Sequence, residues 1–354
     1  MSAPPTSSSK TPKEAKNVSS ARSSLAEHRM HFDNRKAYDL YPALKSEVAQ
    51  ILDSERNSTV SVRSIDGVKK YLRKNAVENE ETLYPDLIAK VLPHTRTVPS
   101  NKRALDDTMK MIEESYDDLD LYRKKDPLFV KGLLPADMEK EEKVLGLTNP
   151  KPDYVWGKKK PDYPDDGPGE DIKALIGVCP GLLHPFFAIE KVAADKPIAQ
   201  AENQCIRVGA TIVNARRRLL LMAQSPGWTE TPGADLESFA FSCAWSPDRV
   251  ILFMHWCEAR QNKPPIFHMS LLHKYDLSDE DGAGFIKFRQ HIHNIFDWGL
   301  FTCAPIGEKA VEKIVEARAG KAQDGALAGP EGGGAQVEGA IGTGPGGAGA
   351  PSNV

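Results

Sequence analysis

The segment Pro185-Phe-Phe-Ala-Ile-Glu-Lys-Val192 constrains this chain more than any other. Phe186, Phe187, Ala188 and Ile189 leave no polar face. The run therefore reads as a strand covered on both sides, as in a layered α/β sheet. Glu190 then stands at its end. A carboxylate there is costly unless it is paired, hydrogen-bonded or bound to a metal. Strand alternation sets Glu190 and Val192 on one side, Ile189 and Lys191 on the other.

The sequence around this strand supplies the rest of an α/β unit. Residues 153–157 and 172–178 read as two preceding strands, the second closed by Cys179-Pro-Gly181. Residues 238–245 and 250–256 form a hairpin around Ser246-Pro-Asp248, a turn-forming triplet. Residues 266–269 add a further strand. A long helix is predicted over 198–222, because Ile198, Ala201, Cys205, Val208, Ile212, Ala215 and Leu219 recur at steps of three and four. A last helix starts after the cap pair Ser278-Asp279 and runs to about Phe301.

Before residue 150 the pattern is helical. Tyr38, Tyr41, Leu44, Val48 and Leu52 fall on one helix face. Val68, Tyr71 and Leu72 suggest a second helix, Leu83, Leu87, Val91 and Leu92 a third, and Leu105, Met109, Ile112 and Tyr116 a fourth. Residues 31–149 thus read as a supporting helical region. Residues 1–30, rich in Ser, Pro, Ala and Lys, lack the apolar content to offset ordering entropy and are predicted disordered. Residues 303–354 read as a short helix and then a Gly/Ala-rich tail, since twelve of the 27 glycines fall between Gly320 and Val354. The domain expected to carry chemistry is therefore 150–302, consistent with about two units at ~150 residues each.

Charge and composition exclude several classes. The net charge of −3 gives no global positive field, so nucleic-acid contact has to be local. Two short basic runs qualify, Lys158 to Lys160 in a loop and Arg216 to Arg218 on a helix, where three successive charges spread around the axis. No stretch of ~18 apolar residues exists to span a membrane. The first twenty residues contain no apolar signal core. Five scattered cysteines (179, 205, 243, 257, 303) suit reduced thiols. The expected setting is intracellular, nucleus or cytoplasm, and not secreted.

Asp153, after Pro152, opens the first strand of this domain. Two carboxylates at neighbouring strand ends suit a divalent cation with oxygen ligands. Asp162, after Pro161, competes with Asp153 for the first position. His255 and Cys257 share a strand face with Cys243 nearby, but no zinc-type spacing accompanies them and core packing is the better reading. His291 and His293 do not share a helix face, and His293-Asn294 reads as a structural cap or surface group. Trp256 and Trp298 read as core aromatics. Nothing supports a Cys–His nucleophile pair, and no phosphate-binding glycine loop is present.

Pro152-Asp153, Phe187-Ala-Ile-Glu190, Ala201-Glu-Asn-Gln-Cys205, Gly209-Ala-Thr-Ile-Val-Asn-Ala-Arg216, Phe239-Ala-Phe-Ser-Cys243, His255-Trp256, Phe267-His-Met269 and His293-Asn-Ile-Phe-Asp-Trp-Gly299 occur in that order. Together they resemble the fungal PD-(D/E)XK nuclease-like domains of the restriction-endonuclease-like superfamily. The resemblance implies a mixed sheet flanked by helices in the order α-β-β-β-α-β. It implies Asp153 and Glu190 as Mg²⁺ ligands, Gln204 as a polar group near the site, and metal-dependent hydrolysis of nucleic-acid phosphodiesters. It also implies a lysine two residues after the glutamate, where this chain has Val192. Lys191, swung back by a bulge, or Lys196 from the loop would have to substitute. The expectation is therefore an impaired nuclease, or alternatively an inactive nuclease-fold module that binds nucleic acid or protein.

Overall fold

The computed structural model describes residues 18–32, 35–55, 121–135, 147, 149–159, 168–224 and 233–327. The helices predicted around Val68, Leu83 and Leu105 lie outside these residues, as does Asp162. In chain order the elements are α1 (Val18–Glu27), β1 (Met30–Phe32), α2 (Arg35–Asp39), α3 (Pro42–Leu52), β2 (Leu121–Lys125), β3 (Tyr154–Lys159) and α4 (Glu170–Ile176). Then follow β4 (Leu182–Lys191), α5 (Ala199–Met222), β5 (Gly233–Ala234), β6 (Ala240–Trp245), β7 (Arg249–Arg260) and β8 (Lys263–Asp276). The last are α6 (Ala283–Trp298), a π-helical turn (Gly299–Cys303) and α7 (Ala304–Leu327).

One mixed sheet organises the chain, in the order β1-β8-β7-β6-β4-β3-β2, with β5 paired to β7. Strands β2, β3 and β4 form an antiparallel series, α5 crosses over, and β6 returns parallel to β4. The α/β class is therefore as expected, and β2-β3-β4-α5-β6 is a β-β-β-α-β unit. Strand β4 is buried along its whole length. On one face, Tyr154, Trp156, Phe187, Ile189, Phe241 and Trp245 pack with residues of α3 and α6. On the other, Val155, Ala188, Val192, Ala240 and Ala244 pack with α4 and α5. Each fully covered large side chain contributes roughly 1.5–3 kcal/mol, so the two cores fix the register of β4.

Several expectations are corrected. Residues 172–178 are mostly helix, not strand. Ile172, Leu175 and Ile176 are buried at helical spacing, and Glu170 and Asp171 supply the acidic first turn that a helix dipole favours. A short apolar run cannot by itself separate the two states. The single helix expected across Tyr38 to Leu52 is two, because Tyr41 precedes Pro42 and takes an extended φ of −119°. Residues 18–30, read as tail, contain α1 and the start of an edge strand. The last helix starts at Ala283 rather than after Asp279, although Asp279 and Asp281 do accept the N–H groups of Gly284 and Ala283. The short helix expected after residue 303 is a long one, running through Gly320 to Leu327 into the stretch read as tail.

Among the described residues, strand pairing crosses residue 150. Strand β2 lies in the stretch read as helical and pairs with β3 from Leu121↔Lys158 to Lys125↔Tyr154. The described residues up to Ile314 cluster as one unit, and the remainder of α7 belongs to a second.

Candidate functional site

Three strand ends meet at one rim of the sheet. Strand β2 arrives with Lys125 and Asp126, β3 departs from Asp153, and β4 arrives with Glu190 and Lys191. The register Tyr154↔Ile189 puts Asp153 opposite Glu190. The Asp126 N–H donates to the Asp153 carbonyl at 2.9 Å, which fixes the corner. The two acids singled out from the sequence are thus brought together.

Their environments differ. Asp153 is partly exposed, and its Oδ2 accepts the Lys191 backbone N–H at 2.7 Å. Its Oδ1 lies 3.7 Å from Lys191 Nζ. Burial nevertheless raises its pKa, against the opposing pull of Lys191. Glu190 is only 3% exposed. Burial first, and then the Asp153 charge, raise its pKa well above the usual carboxylate range. The Arg207 guanidinium, the Asp153 backbone N–H and Lys191 work the other way. Two carboxylates this close cannot both ionise cheaply.

Lys191 obeys alternation, and no bulge swings it back. The register shift in this strand pair falls between Trp156 and Lys158, at the far end. Its ammonium packs 5.4 Å from the Tyr154 ring centroid, on the face away from Glu190. It reaches Asp153 because that residue stands at the rim, within range of both faces. Val192 is buried. Lys196 is exposed in the turn after β4 and Gln204 is half-buried on α5. The group that sequence reasoning missed is Arg207, one turn beyond Gln204. Its signal was weak, a lone cation flanking the apolar stripe of Cys205, Val208 and Ile212.

The other flagged residues serve the scaffold. The His255 Nε2 and Ser242 Oγ are 2.7 Å apart in the core. Gly209 lets α5 approach, since a Cβ there would overlap the imidazole. Burial pushes that imidazole down to about 3. Cys243 belongs to the opposite face from Cys257. Asn294 is a structural cap, donating to the Leu52 and Ser54 carbonyls at the end of α3 at 2.8 and 3.0 Å. His291 and His293 are buried, not surface groups, and Trp256 and Trp298 are core aromatics. Arg216 is not on a solvated surface; it is buried and donates to the Cys303 carbonyl at 2.7 Å. Lys158 lies in β3 rather than a loop and pairs with Glu308 at 2.5 Å. Both basic runs are thus at least partly committed inside the fold.

All five cysteines are buried and none forms a disulfide. Among the described residues, no three His, Cys, Asp or Glu side chains group to hold a metal, and no helix is long and apolar enough to cross a membrane.

A family described as Domain of unknown function (DUF7924) matches residues 67–303, about two thirds of the sequence. The chain belongs to that family. No curated protein matches it.

Proposed function

We propose that this DUF7924 protein is a PD-(D/E)XK nuclease-like protein with a restriction-endonuclease-like core, β2-β3-β4-α5-β6, in which Asp153 and Glu190 hold Mg²⁺ against a nucleic-acid phosphodiester. One observation carries the reading: two carboxylates 37 residues apart in sequence (190 − 153) stand opposite each other at one sheet rim. The donor set fits the ion. Burial raises the pKa of both acids, and a bound cation would relieve that cost. Mg²⁺ is commonly held by one or two carboxylates, with water and substrate phosphate completing its shell.

When bound, the ion polarises the phosphodiester and lowers the pKa of the attacking water. The chain's own residues do the rest. Glu190 releases its proton as the site fills. Lys191 balances Asp153 from the other face and holds it through its backbone N–H. Val192 puts an apolar side chain where a lysine would assist proton transfer. Loss of such a group costs on the order of 10²–10⁴ in rate, so turnover is slow. Five buried cysteines without a disulfide favour a reducing, intracellular setting.

The depth of Glu190 and the identity of Val192 favour a second reading, a nuclease fold retained for binding without hydrolysis. Labelled single-stranded DNA, duplex DNA and RNA, incubated with Mg²⁺ or Mn²⁺ and the protein or its Asp153→Asn and Glu190→Gln variants, separate the two. Metal-dependent cleavage lost in both variants supports the nuclease. Metal-dependent thermal stabilisation lost in both, without cleavage, supports the binding module. A melting temperature indifferent to either ion removes the cation site and the proposal with it.

A further inference from the structure

Strand β2 has the sequence Leu-Tyr-Arg-Lys-Lys and ends the strand order at the edge beside the carboxylates. Its residues alternate. Arg123 and Lys125 fall on the Tyr154 face, opposite Trp156 and Tyr154 in the register. The Arg123 guanidinium lies 5.4 Å from the Tyr154 ring centroid, and Lys191 Nζ lies 5.4 Å from the same centroid. One ring, itself buried, thus holds two cations from two strands, and Lys125 stands beside it.

Arg123 and Lys125 are lightly compensated. Lys191 faces Asp153 at 3.7 Å, and Lys125 meets Asp126 only at 4.0 Å, with both of those side chains about half exposed. Among the described residues Arg123 pairs with no carboxylate. Its interaction partner is the Tyr154 ring, and partial burial lowers its pKa. A half-buried guanidinium without a counter-ion is a ready phosphate ligand, because its planar fork matches two phosphate oxygens. The basic runs that the sequence offered are less available, with Lys158 held by Glu308 and Arg216 by Cys303.

We infer that Arg123 and Lys125 form a phosphate-binding row beside Tyr154 that seats the backbone of a single nucleic-acid strand across the rim, beside Asp153. The row deepens the proposed function and rests on it for what lies next to the seated phosphate. Binding to the row itself needs no metal. With its ring buried, Tyr154 offers no face to a base, so recognition goes through the backbone and is indifferent to sequence.

The test is fluorescence polarisation of a labelled single-stranded DNA of mixed sequence, with the full chain in EDTA across a salt series. The Arg123→Gln/Lys125→Gln variant is expected to bind about tenfold or more weakly at low salt. Its log–log salt slope should flatten by about 1.4, from two contacts at ~0.7 each. Lys159→Gln, on an exposed lysine at the other end of β3, should bind like the parent. Asp153→Asn should bind as well as the parent or better, while losing any cleavage. Should the double variant fail to fold, Lys125→Gln alone, at an exposed side chain, is expected to flatten the slope by about 0.7. An unchanged slope in the row variants overturns the inference, as does a parent protein that ignores the oligonucleotide or binds polyglutamate equally well. Binding through the row without cleavage would count against the nuclease reading alone. Cleavage with a dispensable row would count against this inference alone.

Discussion

At one end of β4 stands His184, at the other Glu190, and both are buried. His184 has a positive φ of 46° and sits under Gly307, where a Cβ would overlap its ring. Burial, then Arg216 and Lys158, push its pKa down to about 3. A base among cations stays neutral and needs no counter-ion. Glu190 faces burial and a second acid, with Arg207 as partial compensation, and its pKa moves up. The same strand thus carries an end that is electrostatically closed and an end where two acids stand together against burial. That contrast separates scaffold from candidate site more sharply than burial, which is similar at both.

The closed end should be the most sensitive to sterics. A Cβ at Gly157, in β3, would overlap the Leu183 carbonyl oxygen beside His184. Backbone cannot rotate away, so Gly157→Ala is expected to cost about 1–3 kcal/mol or more. Urea unfolding measures it, and a midpoint equal to the parent's would show that this end is not tightly built.

The two ends should also answer pH in opposite directions. His184 has a depressed pKa, so its contribution is complete above 6.5 and is lost as pH falls toward about 3. His255 and His291, also pushed down to about 3, add to that acid limb. Glu190 has a raised pKa, so its contribution is complete below 4.5 and is lost as pH rises through the folded value. Glu190→Gln should therefore stabilise the metal-free protein at neutral and alkaline pH, and His184→Asn, which tolerates positive φ, should shrink the acid limb. Melting temperatures across pH decide this. A Glu190→Gln protein less stable than the parent at pH 8 would mean that the carboxylate is ionised and satisfied in place.

The smallest effect belongs to the Lys158–Glu308 pair, whose side chains are 25% and 41% exposed. Lys158→Met should change stability by less than about 1 kcal/mol. A larger loss would make the closed end depend on its ion pair rather than on packing.

Much of the core of this fold was legible. Strand β4, the β6–β7 hairpin and α5 carry strong apolar patterns, and each occurs within a few residues of its expected bounds. The failures have physical causes. Strand β2 is five residues long, three of them cationic, and an edge strand needs little apolar alternation. Helix α4 buries one short apolar stripe that also fits a strand. The break at Tyr41 comes from Pro42, which the periodicity of Tyr38 to Leu52 passed over. At the rim, Asp153 and Glu190 were legible because a carboxylate at the end of an apolar strand is conspicuous. Arg207 was not, because a cation beside a helix stripe looks like solvated surface until the helix is docked.

Local pattern by itself determined that this chain has a buried central strand, a long covering helix and an acid at the strand's end. Those follow from burial and alternation, which act over a few residues. Only the tertiary structure decided which acid meets Glu190, that Lys191 serves Asp153 from the opposite face, and that Arg123 shares the Tyr154 ring with it. These are contacts between strands far apart in sequence, set by sheet register and by how deeply each charge is withdrawn from water.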